Sequence, residues 1–170
     1  MGCCVSLNGI IRGCDNSIGG IRRAWATCDD EAGKPTITND MITAIPDPEA
    51  WSEYEFRKQT GSVTQTGSRD DATGSQYWNI EIVLQFSKQE TEKRLEINAI
   101  ALSDSRWIIE DNNGRYWYFG HFYPVTIADG ATAETGTAFD DFNGYNITLT
   151  TVSDVLAYEV SEKAMEDFLK

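Results

Sequence analysis

The stretch Trp107–Gly120, WIIEDNNGRYWYFG, limits what this chain can fold into more than any other. Two runs of aromatic and β-branched residues flank Asn113-Gly114, a dipeptide that tolerates the positive φ angles of the two-residue type I′ turn joining twisted antiparallel strands. A tight β-hairpin is expected, with Asn113 and Gly114 as its turn. Counting outward from that turn pairs Asn112 with Arg115, Glu110 with Trp117, Ile109 with Tyr118 and Ile108 with Phe119. Cross-strand partners share a face. Trp107, Ile109, Tyr116 and Tyr118 then fall on one side and Ile108, Trp117 and Phe119 on the other, so both sides are apolar. Such a strand lies in the middle of something. It has to be covered twice, by a second sheet, a helix or a neighbouring copy of the protein.

At 170 residues the chain is long enough for one full core and short for two. Its net charge of −13 argues against tight, non-specific phosphate neutralisation, which needs clustered Lys and Arg. Nucleic acid is therefore expected as something that passes nearby and is repelled, not as a bound ligand. No apolar run approaches the roughly 20 residues of a membrane span, and the start lacks the basic and apolar regions of a signal peptide. A cytosolic protein, or one assembled in a cytosol, is expected. Cys3, Cys4, Cys14 and Cys28 crowd the first sixth of the chain without C-x-x-C spacing. They read as reduced thiols, half of them buried, in preference to a metal site.

Residues 1–20 read as an N-terminal arm and 21–170 as a single β domain. Met1-Gly2-Cys3-Cys4-Val5-Ser6 fits the M-G-x-x-x-[ST] acylation pattern, but no polybasic patch follows. In the arm, Leu7, Ile10 and Ile11 are expected to pack. Ile21–Thr27 reads as a strand with Ile21 and Trp25 on one face. Ile37–Ile45 alternates as a second strand and ends at Pro46 and Pro48. Trp51–Gln59 turns Tyr54 and Phe56 inward, and Gln76–Phe86 alternates most clearly, with Trp78, Ile80, Ile82, Leu84 and Phe86 on one side. Between these two strands lies Thr60–Ser75, nearly free of large apolar residues. It reads as the long tip of an extended hairpin, projecting beyond the domain to dock on a partner.

Ser87–Ser103 changes period. Ser87 and Glu90 form a capping-box arrangement, and Leu95, Ala99, Ile100 and Leu102 mark the buried face of a helix expected to cover the central sheet. A strand follows at His121–Asp129, then a second polar loop over 129–144. Gly144–Thr151 reads as a strand with Tyr145, Ile147 and Leu149 inward, and Val155–Val160 as its antiparallel partner. Ser161 caps a terminal helix that lays Ala164, Met165, Phe168 and Leu169 on the domain.

No nucleophile elbow, P-loop or H-E-x-x-H motif occurs, so no catalytic, metal or cofactor-binding residue is assigned and an enzyme is not expected. The single histidine, His121, sits among strand aromatics and reads as structural. Asp70-Asp71 and Asp140-Asp141 lie in Gly- and Thr-rich loops without EF-hand spacing and read as solvated turns. The many Trp and Tyr residues fall mostly at inward strand positions, which favours core or subunit contact over an exposed carbohydrate platform.

The Gly19–Trp25 strand GGIRRAW, Tyr54-Glu55-Phe56, the long Thr-rich hairpin, the Lys88-to-Leu102 helix, Asp111-x-x-Gly114-x-Tyr116-Trp117 and Gly144-Tyr145-x-Ile147-Thr148-Leu149 together resemble phage tail-tube-like proteins. The likeness is greatest to those of phages infecting Bacteroides-type bacteria, the crAss-like group included. That resemblance implies a mainly β fold: an antiparallel β-sandwich or half-barrel with one flanking helix and a long projecting hairpin. It implies a tail tube or neck ring of six or twelve copies in the virion, assembled in the bacterial cytoplasm with other neck and tail proteins. DNA would pass through its lumen without specific binding, and no membrane would be involved.

Contacts between subunits or rings are expected at Val63, Thr64, Gln65, Thr66, Arg69 and Asp70 of the first loop. Thr135, Thr137, Phe139 and Phe142 of the second are expected to do the same. Removing residues 63–72 is then expected to spare the fold and abolish stacking. Two other readings stay open: a carbohydrate- or surface-binding β-sandwich of a decoration or fibre protein, and a lipid-anchored cytosolic protein.

Overall fold

The structure, a computed structural model, describes residues 6–128 and 130–170. The acylation-type start with Cys3 and Cys4, and Asp129, lie outside them. The strands in chain order are β1 Ile21–Cys28, β2 Thr36–Thr38, β3 Met41–Ala44, β4 Ser52–Tyr54, β5 Gly61–Asp70 and β6 Ser75–Ser87. Helix α1, Thr91–Leu102, follows. Then come β7 Ser105–Asp111, β8 Tyr116–Phe119, β9 Thr126–Ile127, β10 Thr132–Glu134, β11 Gly144–Ser153, β12 Tyr158–Val160 and helix α2, Glu162–Phe168.

Two sheets face each other. One has seven strands in the order β2-β3-β12-β8-β7-β1-β4, the other runs β10-β11-β6-β5, with β9 also on β11. The fold is a β-sandwich with flanking helices, 43% strand and 13% helix. Ile80, Ile82, Leu84, Ile147 and Leu149 of the smaller sheet meet Ala24, Ala26, Trp107, Ile109 and Phe119 of the larger. On the larger sheet's other face, Trp25, Ile42, Trp51, Ile108, Tyr118 and Val160 pack against Ala164, Met165 and Phe168 of α2. Phe168 meets Trp25 and Trp51 edge-on at 6.1 and 5.8 Å. The hairpin is thus covered twice within one chain, by a sheet and by a helix.

Its register differs from the expected one by a residue. Trp107 pairs with Phe119, Ile108 with Tyr118, Ile109 with Trp117 and Glu110 with Tyr116. The loop has three residues, Asn112-Asn113-Gly114, closed by Asp111 N donating to Arg115 O at 2.9 Å. The cause is the Asp111 side chain, whose Oδ1 accepts from the amides of Asn113 (2.8 Å) and Arg115 (3.0 Å). That arrangement holds Asn113 out of the left-handed region and leaves only Gly114 there, at φ +76°. Trp117 and Phe119 consequently join Trp107 and Ile109, and the tyrosines turn to the α2 side.

Other expectations are corrected in the same way. A bulge between Ile21 and Arg23 sends Ile21 into the inter-sheet core and Trp25 to the α2 side, so they do not share a face. Residues 37–45 are not one strand: Asn39 and Asp40, at φ 52° and 60°, turn the chain between β2 and β3. Thr60–Ser75 is not a loop. Gly61–Asp70 is strand β5, paired along its length with β6, and only residues 71–74 form the turn. Its inward Val63 packs on the core, so removing residues 63–72 takes away an edge of the sandwich.

Residues 121–129 contribute only the short β9 and a bridge from Val125 to Ser105. β12 does not pair with β11 but lies between β8 and β3, because Ser153–Ala157 carries the chain across to the other sheet. Ser87 ends β6 and does not cap α1, whose N-cap is Glu90. Helix α1 covers no sheet face: Ile97 and Ile100 pack at the rim of the inter-sheet core, while Leu95 and Leu102 are exposed. Leu7, Ile10 and Ile11 are exposed as well. The thiols of Cys14 and Cys28 are both free and exposed; the other two cysteines lie outside the described residues.

One charge is deeply placed. The Glu110 side chain is 4% exposed and receives the Arg23 Nε–H at 2.6 Å. Removing Arg23 leaves that carboxylate only the exposed Arg22, 4.0 Å away, whereas replacing both partners by apolar residues removes the buried charge itself. Arg23→Ala is expected to lower unfolding stability by about 3 kcal/mol in urea titrations, and the double variant Arg23→Met/Glu110→Leu to recover most of the loss.

Candidate functional site

The two faces of the smaller sheet differ in kind. Inward positions of β5, β6 and β11 alternate with outward ones, and ladder pairing sets the outward side chains in cross-strand rows. Thr132, Asn146 and Gln85 make one row; Ser62, Val83 and Thr148 the next; then Thr64, Glu81, Thr150 and Thr126; then Thr66, Asn79 and Val152; and last Ser68 and Tyr77. None of these residues is buried. Among the described strand residues between Asp70 at the tip and Glu134 at the opposite margin, Glu81 is the one charged side chain of this face, in a chain that is 24% charged. The face is a floor of hydroxyls and amides around a single carboxylate.

This sheet also ends in an open edge. β5 pairs with β6 on one side over ten residues, Gly61 to Asp70, and no described strand lies on its other side. It has no proline, and its only basic residue is Arg69 near the end, held by Asp71 at 2.8 Å. Natural edges are shielded by bulges, prolines, inward-pointing charges or short length. β5 has none of these over Gly61–Ser68, so its backbone donors and acceptors stand ready for another strand. Beneath the edge, between the sheets, lies a groove of about 270 Å³ lined by Ile21, Val63, Gln65, Ile109, Trp117 and Phe119 among others.

The expected contact residues divide accordingly. Thr64 and Thr66 lie on the outer face beside the open edge. Val63 and Gln65 point inward, and Gln65 Oε1 accepts from Ala157 N at 2.9 Å, so both make contacts within their own chain. Asp70 Oδ1 accepts from Ala72 N at 2.8 Å, and backbone donors hold its carboxyl below the usual range. In the second loop, Asp141 Oδ2 takes the amides of Thr137 (2.8 Å) and Ala138 (2.7 Å), which lowers its pKa likewise. Asn143 ties this loop to the β6–α1 corner by accepting from Lys88 N at its carbonyl (2.6 Å) and from Gln89 N at its side chain (3.0 Å). Thr135 and Phe142 line an adjoining polar groove with Arg57, Gln85 and Gln89. Phe139 stands fully in solvent. The two loops flank the sheet and do not converge on one point.

Asn113 and Gly114 occupy the hairpin turn as expected, and Asn113 has a further contact: its side chain exchanges two hydrogen bonds with the Ile18 backbone, at 2.8 and 3.0 Å. The open edge itself was not legible, because β5 is polar on both faces except at Val63 and lacks the apolar alternation that marks a strand. Its signal is the period-two run Ser62-x-Thr64-x-Thr66-x-Ser68, matched by Asn146-x-Thr148-x-Thr150 on β11.

Among the described residues no group of three or more His, Cys, Asp or Glu is placed to hold a metal, and no helix is long and apolar enough to cross a membrane. Comparison with known proteins gave no match: no family model fits the chain, and no curated protein and no solved structure is significantly similar to it.

His121 lies edge-on to Tyr158, ring centroids 4.7 Å apart, with Nε2 3.3 Å from Asp154 Oδ1. Burial lowers its pKa, Asp154 opposes the shift and the Arg106 charge assists it. A histidine depressed in the folded state takes up its proton first in the unfolded chain, so its contribution is complete above about pH 6.5 and is lost as pH falls. Stability measured from pH 7.5 to 5 is expected to decline through this window in the wild type. The decline is expected to be shallower in His121→Gln.

Proposed function

We propose that the protein is a ring-forming structural subunit of a tailed-phage virion, a tail tube or neck ring through which DNA passes. The reading is carried by one observation: a ten-residue unshielded edge strand borders an uncovered sheet face that is almost free of charge. An edge of this kind is completed by another strand, and cyclic repetition is the arrangement that completes every copy alike. The resemblance of the hairpin, the Thr-rich segment and the late strand to tail-tube-like proteins supports the same conclusion.

In this reading the outer face of the smaller sheet lines the bore. The larger sheet cannot do so, since α2 covers its outer side. Each copy then presents Glu81 among threonines and asparagines, giving one ring of carboxylates in an otherwise neutral wall. Phosphate is repelled there without being held, and the hydroxyl floor offers no cationic contact at which DNA would stall. Asp70 and Glu134 stand at the tip and the opposite margin of that wall.

Native mass spectrometry with negative-stain imaging is expected to give closed rings of six or twelve copies, or stacked tubes. Proline at Thr64 or at Gln65, whose amides point to opposite edges of β5, is expected to abolish assembly at one of the two positions. A stable trimer would turn the reading towards a fibre or decoration protein. Glu81→Lys is expected to leave the ring mass unchanged and to create salt-sensitive binding of duplex DNA in gel-shift assays. Rings whose DNA affinity does not respond to that change would remove the bore assignment.

A further inference from the structure

We infer that the open edge of β5 is occupied by the N-terminal arm of a second copy, added as a strand with Leu7 and Ile11 seated in the groove beneath the edge. The inference rests on the reading that copies of the chain meet at β5, and names what does the joining.

The arm is fixed at one point only. Asn112 Nδ2 donates to Gly19 O at 2.7 Å and Asn112 N to Gly20 O at 3.1 Å, beside the two bonds between Asn113 and Ile18. These four bonds hold the chain against the hairpin turn. Residues 6–17 are all exposed, and Leu7, Ile10 and Ile11 are 91%, 102% and 95% accessible. A segment with three large aliphatic side chains wholly in water has an apolar destination elsewhere.

The acceptor side matches it. The groove offers Ile21, Val63, Ile109, Trp117 and Phe119 at the open flank of the sandwich, where a further strand would complete the core. Extended pairing with β5 places residues of one parity inward, so Leu7 and Ile11 fall on one side, with Gly9 between them where the wall is close. Ile10 then lies on the outer face near Thr64. Backbone hydrogen bonds supply affinity, and the two aliphatic side chains supply register, as in other cases of strand addition. The same groove of its own chain opens beside the anchor, lined by Gly20 and Ile21, yet Leu7 and Ile11 stand outside it in solvent, and we place them in that of a neighbour.

Cysteine exchange on the full chain tests this. In a background with the native cysteines replaced by serine, Ile10→Cys protein is mixed with a differently tagged protein carrying Cys in place of Ser62, Thr64 or Thr66, and then oxidised. A disulfide between the two tags at one or two of these positions, and loss of ring mass in Leu7→Asp/Ile11→Asp, are expected. Crosslinks that form only when both cysteines are in one chain would show the arm folded on its own β5 and overturn the inference. So would assembly unchanged by Leu7→Asp/Ile11→Asp while the edge-blocking proline abolishes it; in that case joining at β5 stands and the arm is not its agent. Failure of the wild type to self-associate would remove both.

Discussion

Asp111 decides how the two cores of this protein are made. By accepting two backbone amides beyond itself, it closes a three-residue loop where the local sequence favours two, and shifts β8 by one residue against β7. That shift puts Trp117 and Phe119 between the sheets and Tyr116 and Tyr118 on the α2 side, where the phenol of Tyr118 reaches Arg106. With the register slipped back, two hydroxyls would enter the dry interior, Phe119 would leave it, and Trp117 would lose the bond its indole N–H makes to Asp111 Oδ2 at 3.2 Å. A short polar side chain at a loop thus has more influence on the interior than any single core residue, because strand parity multiplies its effect along the whole ladder.

From this register follows an asymmetry between the sheets. The larger one has apolar residues on both sides and is sealed by the smaller sheet and by α2. The smaller is sealed once, and its second face is neither apolar nor charged. Solvated faces of acidic proteins usually carry their share of charge, as β1 does with Arg22 and Arg23 and α1 with Glu92 and Arg94. Threonine and asparagine in its place give a surface that stays wet, pairs well as strand and attracts neither sign of ion strongly. Together with the bare edge of β5 this leaves the smaller sheet with an uncovered face and an unpaired side, while the larger is packed on both faces.

Much of this was legible in the sequence, and the misreadings share a physical origin. Alternation over Gln76–Phe86 and Gly144–Thr151 located β6 and β11, because their inward apolar residues recur at every second position. Ser161 located the start of α2, where its hydroxyl accepts from Ala164 N at 3.2 Å. The strand β5 was hidden because most of its inward residues are glycine or polar, with Gly67 lying flat beneath the Trp78 ring. The face of α1 was misjudged because Leu95 and Leu102 are spaced as a buried stripe would be, yet only Ile97 and Ile100 reach the core. Bulges such as that at Arg22 invert parity without leaving a mark in hydropathy. Of the expected contact residues on β5, Thr64 and Thr66 face outward, whereas Val63 and Gln65 face inward and are engaged within their own chain; strand parity makes the difference.

The anchoring of the arm has a mechanical consequence. Ile18, Gly19 and Gly20 are fastened to the turn of the β7–β8 hairpin, and the chain continues directly into β1, which runs antiparallel to β7 through seven paired positions. A pull on the arm is therefore delivered along the strand axis, where it loads the rungs in parallel instead of peeling them one at a time. Tension on the arm passes first into the β1–β7 ladder, whose residues lie against both cores of the molecule.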